Sequence, residues 1–152
     1  MTVLDLIGSR ADIYAIPEGS TVHQAARYLR GRQVRAVGVI DSSGEVVGVV
    51  SQSDISDKVA AENKCPAWMR VDEIMSTALV CVTLHEHIDD CLRLMDQHGV
   101  YHLLVIDEHA ASPRQRYRGM LSVSDLLRGF ASDEKSRADL LEAFVFEPRV
   151  TA

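Results

Sequence analysis

Residues 48–54 read GVVSQSD, and a similar sequence, GMLSVSD, occurs at residues 119–125. The fold can be predicted from this repeat. In both copies an apolar, β-rich run ends in Ser-x-Ser-Asp, and a helix-like segment follows. Serine and aspartate satisfy the free N–H groups at the start of a helix, so each copy predicts a strand-to-helix turn. A turn that recurs in the same context predicts a duplicated structural unit.

The duplication extends outward from the two turns. Residues 13–41 align without a gap with residues 79–107, and the apolar positions coincide along the alignment. A longer loop in the second copy, residues 108–116, then separates the aligned region from the second turn. The segments that come before, residues 3–7 and 71–75, are also similar. The chain therefore consists of two copies of one unit.

Each unit has the pattern strand, helix, strand, strand, helix. Apolar β-rich runs predict strands at residues 13–16, 37–40 and 46–50 in the first unit, and at 79–82, 103–106 and 117–121 in the second. Thr21 and Gln24 have the spacing of a capping box, and the apolar stripe after them predicts a helix. An equivalent stripe begins at Ile88 in the second unit. Residues 41–44, Asp-Ser-Ser-Gly, predict a hairpin. The last helices are predicted at 54–61 and 125–130, each beginning at its aspartate.

The fold class predicted from these elements is α+β, with two βαββα units packed as a pseudo-twofold pair. One such unit has only a small core, so two copies are expected to share one. The expected division is residues 1–64, residues 65–131 and a C-terminal helical tail at 132–152. The tail fits either a helix packed on its own domain or a partner surface. Its apolar residues are Leu140, Leu141, Phe144, Val145 and Phe146.

Composition and charge exclude several classes. The 152 residues are 47% hydrophobic and 25% charged, as in ordinary globular domains. A formal charge of −6 argues against a nucleic-acid partner, because phosphate contacts require a basic face. No apolar run approaches the ~20 residues that span a bilayer, and the first residues lack signal-peptide features, so a cytoplasmic protein without a membrane partner is expected. Cys65, Cys81 and Cys91 form no CxxC pair, and apolar neighbours predict buried thiols at the last two.

The repeated turn has two interpretations from residue chemistry alone. Its serine and aspartate side chains are suited to cap a helix and to complement the helix dipole. The same carboxylate could accept both hydroxyls of a ribose, with serine hydroxyls and helix N–H groups facing sugar and phosphate. The occurrence of two copies adds weight to the second interpretation, and both stay open.

The order of these features resembles the CBS domain pair, or Bateman module, over residues 3–130. The resemblance rests on the two turns, on Glu73-Ile74-Met75 before the second unit, and on residues 100–107, VYHLLVID. It implies a disc-shaped, non-catalytic regulatory module with two clefts, which commonly hold AMP, ATP, NAD or S-adenosylmethionine. It also implies a homodimer and an effector protein, of unknown identity, that reads the bound state.

The resemblance assigns site residues as well. Asp54 and Asp125 match the ribose-binding acids. The other positions are the serines beside them, three residues that often contact phosphate, the walls and backbone donors of the adenine pocket, and two cations one turn into the following helices. The serines are Ser51, Ser53, Ser122 and Ser124, and the residues that often contact phosphate are Arg35, Tyr101 and His102. The adenine pocket would be formed by Ile13, Tyr14, Leu79 and Val80, and the two cations are Lys58 and Arg128.

Three positions depart from the family pattern. Ser53 stands where many short bacterial relatives carry arginine, Tyr101 replaces a residue that is often basic, and Ala36 is the counterpart of His102. Fewer phosphate contacts favour AMP or NAD(H) over ATP. Because the phosphate residues of the two units differ, the two clefts are expected to differ too.

Three alternatives compete with this hypothesis. A structural metal site could use His85, His87, Cys91, His98 and His102. A helix that ends at Gly99 would separate His98 from His102, so no metal is expected. An enzyme is not expected either, because the chain has no nucleophile elbow, GxxxxGK loop or HExxH motif. A ligand-free structural adaptor with the same fold is the more serious alternative.

Overall fold

The computed structural model describes residues 1–132, 138 and 141–142. The helices are α1 (Val3–Ile7), α2 (Val22–Arg32), α3 (Gln52–Ile55), α4 (Ile88–His98), α5 (Pro113–Arg116) and α6 (Val123–Ser132). The strands are β1 (Ala15–Pro17), β2 (Ala36–Ile40), β3 (Val46–Ser51), β4 (Cys81–Thr83), β5 (His102–Ile106) and β6 (Tyr117–Ser122). A π-helical turn, Ser56–Ala60, follows α3, and a 3₁₀ turn, Val71–Glu73, lies in the lead-in segment of the second unit, before β4.

The six strands form two three-stranded sheets of the same design. β1 pairs in parallel with β2, and β2 pairs antiparallel with β3; β4, β5 and β6 repeat this arrangement. Ala15 lies opposite Gly38 in the first sheet, and Cys81 lies opposite Leu104 in the second. These are equivalent positions in the sequence alignment, so the predicted duplication and the α+β fold class are confirmed.

Each unit packs its lead-in segment on the other unit. Val3 and Ile7 of α1 lie in the core of the second unit, where the Val3 N–H donates to the carbonyl of Glu86 (2.9 Å). Conversely, Val71 and Ile74 lie in the core of the first unit. This exchange ties the units into a pseudo-twofold pair. It also brings the residues before β1 and β4 toward the last strand of the opposite unit.

A third apolar cluster joins the two sheets. Its buried members are Ala36, Leu104, Tyr117 and Met120. The Tyr117 ring lies against Gly38, where an added Cβ would come within 2.8 Å of the Tyr117 hydroxyl oxygen. Any side chain at this position in β2 would overpack the interface. The shared core expected from the sequence is therefore present.

The predicted starts of the first strands are wrong by two residues. β1 and β4 begin at Ala15 and Cys81 rather than at residues 13 and 79. In the first unit the cause is local, since Tyr14 has a φ of 54°, in the left-handed region. The Asp12 carboxylate supports this conformation by accepting a hydrogen bond from the Tyr14 N–H (2.8 Å).

The last helix of each unit begins earlier than predicted. α3 begins at Gln52 and α6 at Val123, so Asp54 and Asp125 are the third residues of their helices and not their caps. The serine before each helix occupies the cap position instead, as the hydrogen bonds described below require. The loop at residues 108–116 also contains α5, with Pro113 in its first turn, which the sequence analysis did not predict.

Two further predictions concern cysteines and the tail. Cys91 is buried as expected, but Cys81 is exposed, so that prediction is wrong. Cys81 begins β4, which is an edge strand of its sheet. Among the apolar tail residues, Leu141 is exposed. The others, Leu140, Phe144, Val145 and Phe146, lie outside the described residues.

Candidate functional site

A cavity of about 530 Å³ lies where the turn after β3 meets the residues before β4. Ser76 holds the two segments together, because its N–H and carbonyl pair with the carbonyl and N–H of Val49 (2.9 and 3.0 Å). We call this cavity the Asp54 cleft. Eight of the predicted site residues line it: Arg35, Ser51, Ser53, Asp54, Leu79, Val80, Tyr101 and His102.

The turn at one end of the Asp54 cleft is a reciprocal capping pair. Asp54 Oδ2 accepts hydrogen bonds from the Ser51 N–H (2.9 Å) and the Ser51 hydroxyl (3.1 Å). Ser51 Oγ in turn accepts from the Asp54 N–H (3.2 Å). The capping interpretation therefore holds for one carboxylate oxygen, with Ser51 as the cap residue.

The second carboxylate oxygen of Asp54 contacts a half-exposed lysine. Oδ1 lies 2.9 Å from the ammonium of Lys58, which is four residues along the chain. Lys58 also donates to the carbonyl of Ile74 (2.8 Å), and about half of its side chain is exposed. Exposed pairs of this kind contribute only about 0–1 kcal/mol. Lys58 can therefore leave Oδ1 at little cost.

Arg35, Tyr101 and His102 are further polar residues that line the cleft. Within the described part of the chain, the Arg35 guanidinium has no hydrogen-bond or ion-pair partner. Burial lowers the pKa of His102; the Asp125 carboxylate opposes this shift and the Arg35 charge adds to it. The site thus offers one permanent cation and one imidazole whose neutral form is favoured by burial.

The wall of the cleft is apolar. Leu79 and Val80 form it together with Val100 and Leu104, a combination suited to the face of a planar base. Val100 and Leu104 were missed as site residues, although both belong to the stretch that carries the family resemblance. The other lining residues that were missed are Val49, Gln52, Ser76, Ala78 and Gly99.

The turn after β6 repeats the capping geometry. Asp125 Oδ2 accepts from the Ser122 N–H (2.8 Å) and hydroxyl (2.9 Å), and Ser122 Oγ accepts from the Asp125 N–H (3.1 Å). Ser124, in the first turn of α6, is exposed. The hydrogen bonds between serine and aspartate are therefore the same in the two turns.

The other oxygen of Asp125 is engaged by two arginines. Arg10 Nη2 lies 3.0 Å from Oδ1, and Arg128 Nη2 lies 2.6 Å from the same atom. Burial acts to raise the pKa of Asp125, but the hydrogen bonds from Ser122 and the charge of Arg10 outweigh it and hold the pKa below its usual value. Arg10 had no signal in the sequence analysis, because its partner lies in the other unit.

The remaining predicted residues are not among those that line the Asp54 cleft. Tyr14 stands beside Arg10, whose guanidinium carbon is 5.4 Å from the centre of the Tyr14 ring. Ile13 lines a different cavity of about 500 Å³ beside the long loop of the second unit. Lys58 and Arg128, expected to attract an anion, are each paired with the aspartate of their own helix.

The histidines proposed as alternative metal ligands do not converge. α4 ends at Gly99 in the left-handed region (φ 63°), so His98 and His102 lie on different elements, as expected. Among residues 1–132 and the few described beyond them, no group of three or more His, Cys, Asp or Glu side chains could hold a metal ion.

A comparison with family models identifies the two units. The CBS domain model matches residues 4–61 and again residues 71–132. The chain belongs to the CBS domain family. Domains of this family are in general regulatory and non-catalytic modules.

Relatives and solved structures agree with this assignment. CBS domain-containing protein CBSCBSPB3 of Arabidopsis thaliana is 34% identical over 92 residues, which are 60% of this chain and 16% of the plant protein. The CBS domain pair of protein MJ0100, solved with 5′-methylthioadenosine and S-adenosyl-L-methionine, superposes with a TM-score of 0.73 at 23% identity, covering 87% of this chain and 97% of that one. A hexameric CBS-CP12 protein from bloom-forming cyanobacteria gives a TM-score of 0.73 at 27% identity, covering 94% and 81%.

The comparisons also limit which properties of the relatives apply to this chain. The chain spans only about a sixth of the length of the curated plant relative, so that protein's wider activity does not carry over. In the described part of this CBS pair, no helix combines the length and the apolarity needed to cross a membrane.

Proposed function

We propose that this CBS pair is a regulatory module that binds an adenosine nucleotide in the Asp54 cleft and passes the bound state to a partner protein in the cytoplasm. AMP or NAD(H) is proposed ahead of ATP. One observation carries the proposal: a carboxylate at a strand-to-helix turn, an apolar wall and an unpaired guanidinium line a single cavity. Ribose, adenine and phosphate require these three kinds of group.

The ribose would bind at Asp54 through Oδ1, because Ser51 already engages Oδ2. The group to be displaced is the half-exposed ammonium of Lys58. A ribose diol would replace one weak ion pair with two charge-assisted hydrogen bonds. Capping and ribose binding are thus compatible uses of one carboxylate.

The phosphate would lie beside Arg35, Tyr101 and His102, which line the same cavity. Arg35 supplies a permanent charge, and His102 becomes cationic only when an anion favours its protonation. One cation and one titratable imidazole are suited to the single phosphate of AMP or the bridging diphosphate of NAD. They balance less of the charge of a triphosphate, which is why ATP is ranked lower.

Similarity of fold supports an adenosine ligand in general terms. The CBS pair of MJ0100 holds two adenosine compounds that lack phosphate. In this chain Arg35 and His102 favour a ligand with phosphate. The preference between nucleotides therefore rests on this chain's own residues.

Calorimetric titration with AMP, ADP, ATP, NAD and S-adenosylmethionine tests the proposal. We expect AMP or NAD to bind more tightly than ATP. Saturation at a hundredfold excess over Kd should stabilise the fold by about 2.7 kcal/mol, which melting would detect as a rise in Tm. Absence of binding by all five compounds at millimolar concentration contradicts the proposal.

A ligand-free structural adaptor is the second candidate. It is favoured by the fact that the oxygens of both Asp54 and Asp125 already have partners within the protein. An adaptor would release no nucleotide on denaturation and would show no heat of binding. Mass spectrometry of material released from the purified protein separates the two candidates.

We also propose that the chain forms a homodimer. Trp68 is 86% exposed and Leu141 is 59% exposed, and large apolar side chains in such positions are typical of contact surfaces. Light scattering at micromolar concentration should give twice the mass of the chain, and a monomer mass would contradict the dimer.

A further inference from the structure

We infer that Arg10 is an internal occupant of the second turn, so that each chain takes one nucleotide, in the Asp54 cleft, and none at Asp125. The inference rests on the proposed nucleotide binding and adds its stoichiometry. It follows from comparing what lies beside Asp54 and Asp125, the two equivalent carboxylates of the pseudo-twofold pair.

The first difference lies at two equivalent backbone carbonyls. In β3, the Val49 carbonyl accepts a hydrogen bond from the backbone N–H of Ser76 (2.9 Å). In β6, the carbonyl of the equivalent residue, Met120, accepts from the Arg10 side chain through Nη1 (2.6 Å). A guanidinium therefore makes the contact that the main chain makes in the other half.

The second difference is the oxygen left over from capping. Among the residues that the structure describes, Asp54 Oδ1 is paired with the ammonium of Lys58 alone, from the π-helical turn that follows α3. Asp125 Oδ1 faces Arg10 from the other unit as well as Arg128 from its own helix. A ribose at Asp125 would have to displace both guanidinium groups.

Arg10 is held more firmly than the other cations at the turns. Its side chain is 19% exposed, against 48% for Lys58 and 72% for Arg128. It bonds to both Met120 and Asp125, and its guanidinium lies near the Tyr14 ring. Arg128 can turn into solvent, and Lys58 would give up one bond to the other unit, to the Ile74 carbonyl, whereas Arg10 would lose its contacts with both Met120 and Asp125.

The segment that carries Arg10 is longer than its counterpart. Between the aligned lead-in and first-strand regions, the first unit has residues 8–12 and the second has only residues 76–78. Asp12 anchors the longer segment by accepting from the Tyr14 N–H (2.8 Å), the Tyr28 hydroxyl (3.1 Å) and the Arg32 guanidinium. The extra length and this anchor let the Arg10 side chain reach the second turn.

Calorimetric stoichiometry with AMP tests the inference. We expect one AMP per chain for the wild type, two for Arg10→Ser, and one for the control Arg93→Ser, which removes the same charge from an exposed pair with Asp90. Arg10→Gln keeps most of the stem that lies beside Tyr14, and it should also bind two. The number of AMP molecules bound per chain is taken from Gln and Ser variants whose circular dichroism spectrum matches that of the wild type.

Aspartate variants assign each site. In the otherwise wild-type chain, Asp54→Asn should weaken AMP binding ten- to a hundredfold, whereas Arg10→Ser combined with Asp54→Asn should still bind one AMP without that loss, at Asp125. A wild type that binds two AMP, or an Arg10→Ser variant that still binds one, overturns the inference and leaves the proposed function standing. Absence of AMP, NAD and S-adenosylmethionine binding in every variant overturns both.

Discussion

At the end of β3 the Asp54 carboxylate has Ser51 on one oxygen and a half-exposed lysine on the other. At the end of β6 the Asp125 carboxylate has Ser122 on one oxygen and two arginines on the other. The shared part is made within three residues of sequence and serves the helix. The decisive difference is Arg10, which comes from the other unit, and we propose that it determines whether an oxygen remains available to a ligand. A repeated motif thus predicts repeated local structure more safely than repeated binding.

The largest expected effect is on nucleotide affinity. Asp54→Asn should weaken AMP binding ten- to a hundredfold, whereas Asp125→Asn should change it less than twofold. Hydrogen bonds to a charged group contribute about 1.5–3 kcal/mol, and only Asp54 is proposed to make them to ribose. Titration calorimetry at pH 7.5 measures both. Equal losses in the two variants would remove the distinction between the turns.

The next effect is on stability. Arg10→Ser should lower the free energy of unfolding by about 1–2 kcal/mol, because it removes the hydrogen bond to the Met120 carbonyl and one of the two ion pairs of the partly buried Asp125 carboxylate. Lys58→Ser should lower it by less, about 1 kcal/mol or below, since half of the Lys58 side chain is exposed to solvent. Urea unfolding followed by circular dichroism compares them. A larger loss for Lys58→Ser would contradict the firmer hold on Arg10.

The shared part of the turns should respond alike to mutation. Ser51→Ala and Ser122→Ala each remove a cap and its reciprocal bond to aspartate, at a cost of about 1 kcal/mol. The two losses should agree within about 0.5 kcal/mol in urea unfolding. A clear difference would mean that the neighbours of Asp125, and not the cap alone, support the second helix.

The smallest effect is a pH dependence that originates at His102. Burial lowers the pKa of His102 in the fold, with Asp125 opposing and Arg35 reinforcing the shift. The neutral form is therefore favoured by folding. Its contribution to stability is complete above the unfolded pKa of about 6.5 and is lost as pH falls below that value.

The measurement is the Tm of the nucleotide-free protein between pH 7.5 and 5.5. His102→Gln, which cannot titrate, should show a smaller fall in Tm than the wild type. Asp125 has its pKa below the usual value, so its contribution is lost only at pH below about 4, outside this range. An unchanged pH dependence in His102→Gln would contradict the assignment to His102.

Much of the fold was predictable because its signals are local. The duplication was visible from the paired turns, and the capping box of Thr21 and Gln24 formed as predicted. The end of α4 was also predicted, from the glycine at position 99. The errors occurred where a local pattern competes with another. Tyr14 has strand-like neighbours but a left-handed φ, and Ser51 rather than Asp54 caps its helix.

The two βαββα units could be predicted from the sequence alone because periodicity and short motifs act over a few residues, and the family resemblance added eight residues that line one cleft. Only the tertiary structure decided that each lead-in packs on the opposite unit, and that Arg10 reaches a carboxylate 115 positions away in the chain. Ion pairs across a domain interface depend on how the units pack, and no local pattern records which cation will lie beside which acid. The duplicated turn is therefore a property of the sequence, and the difference between its two copies is a property of the fold.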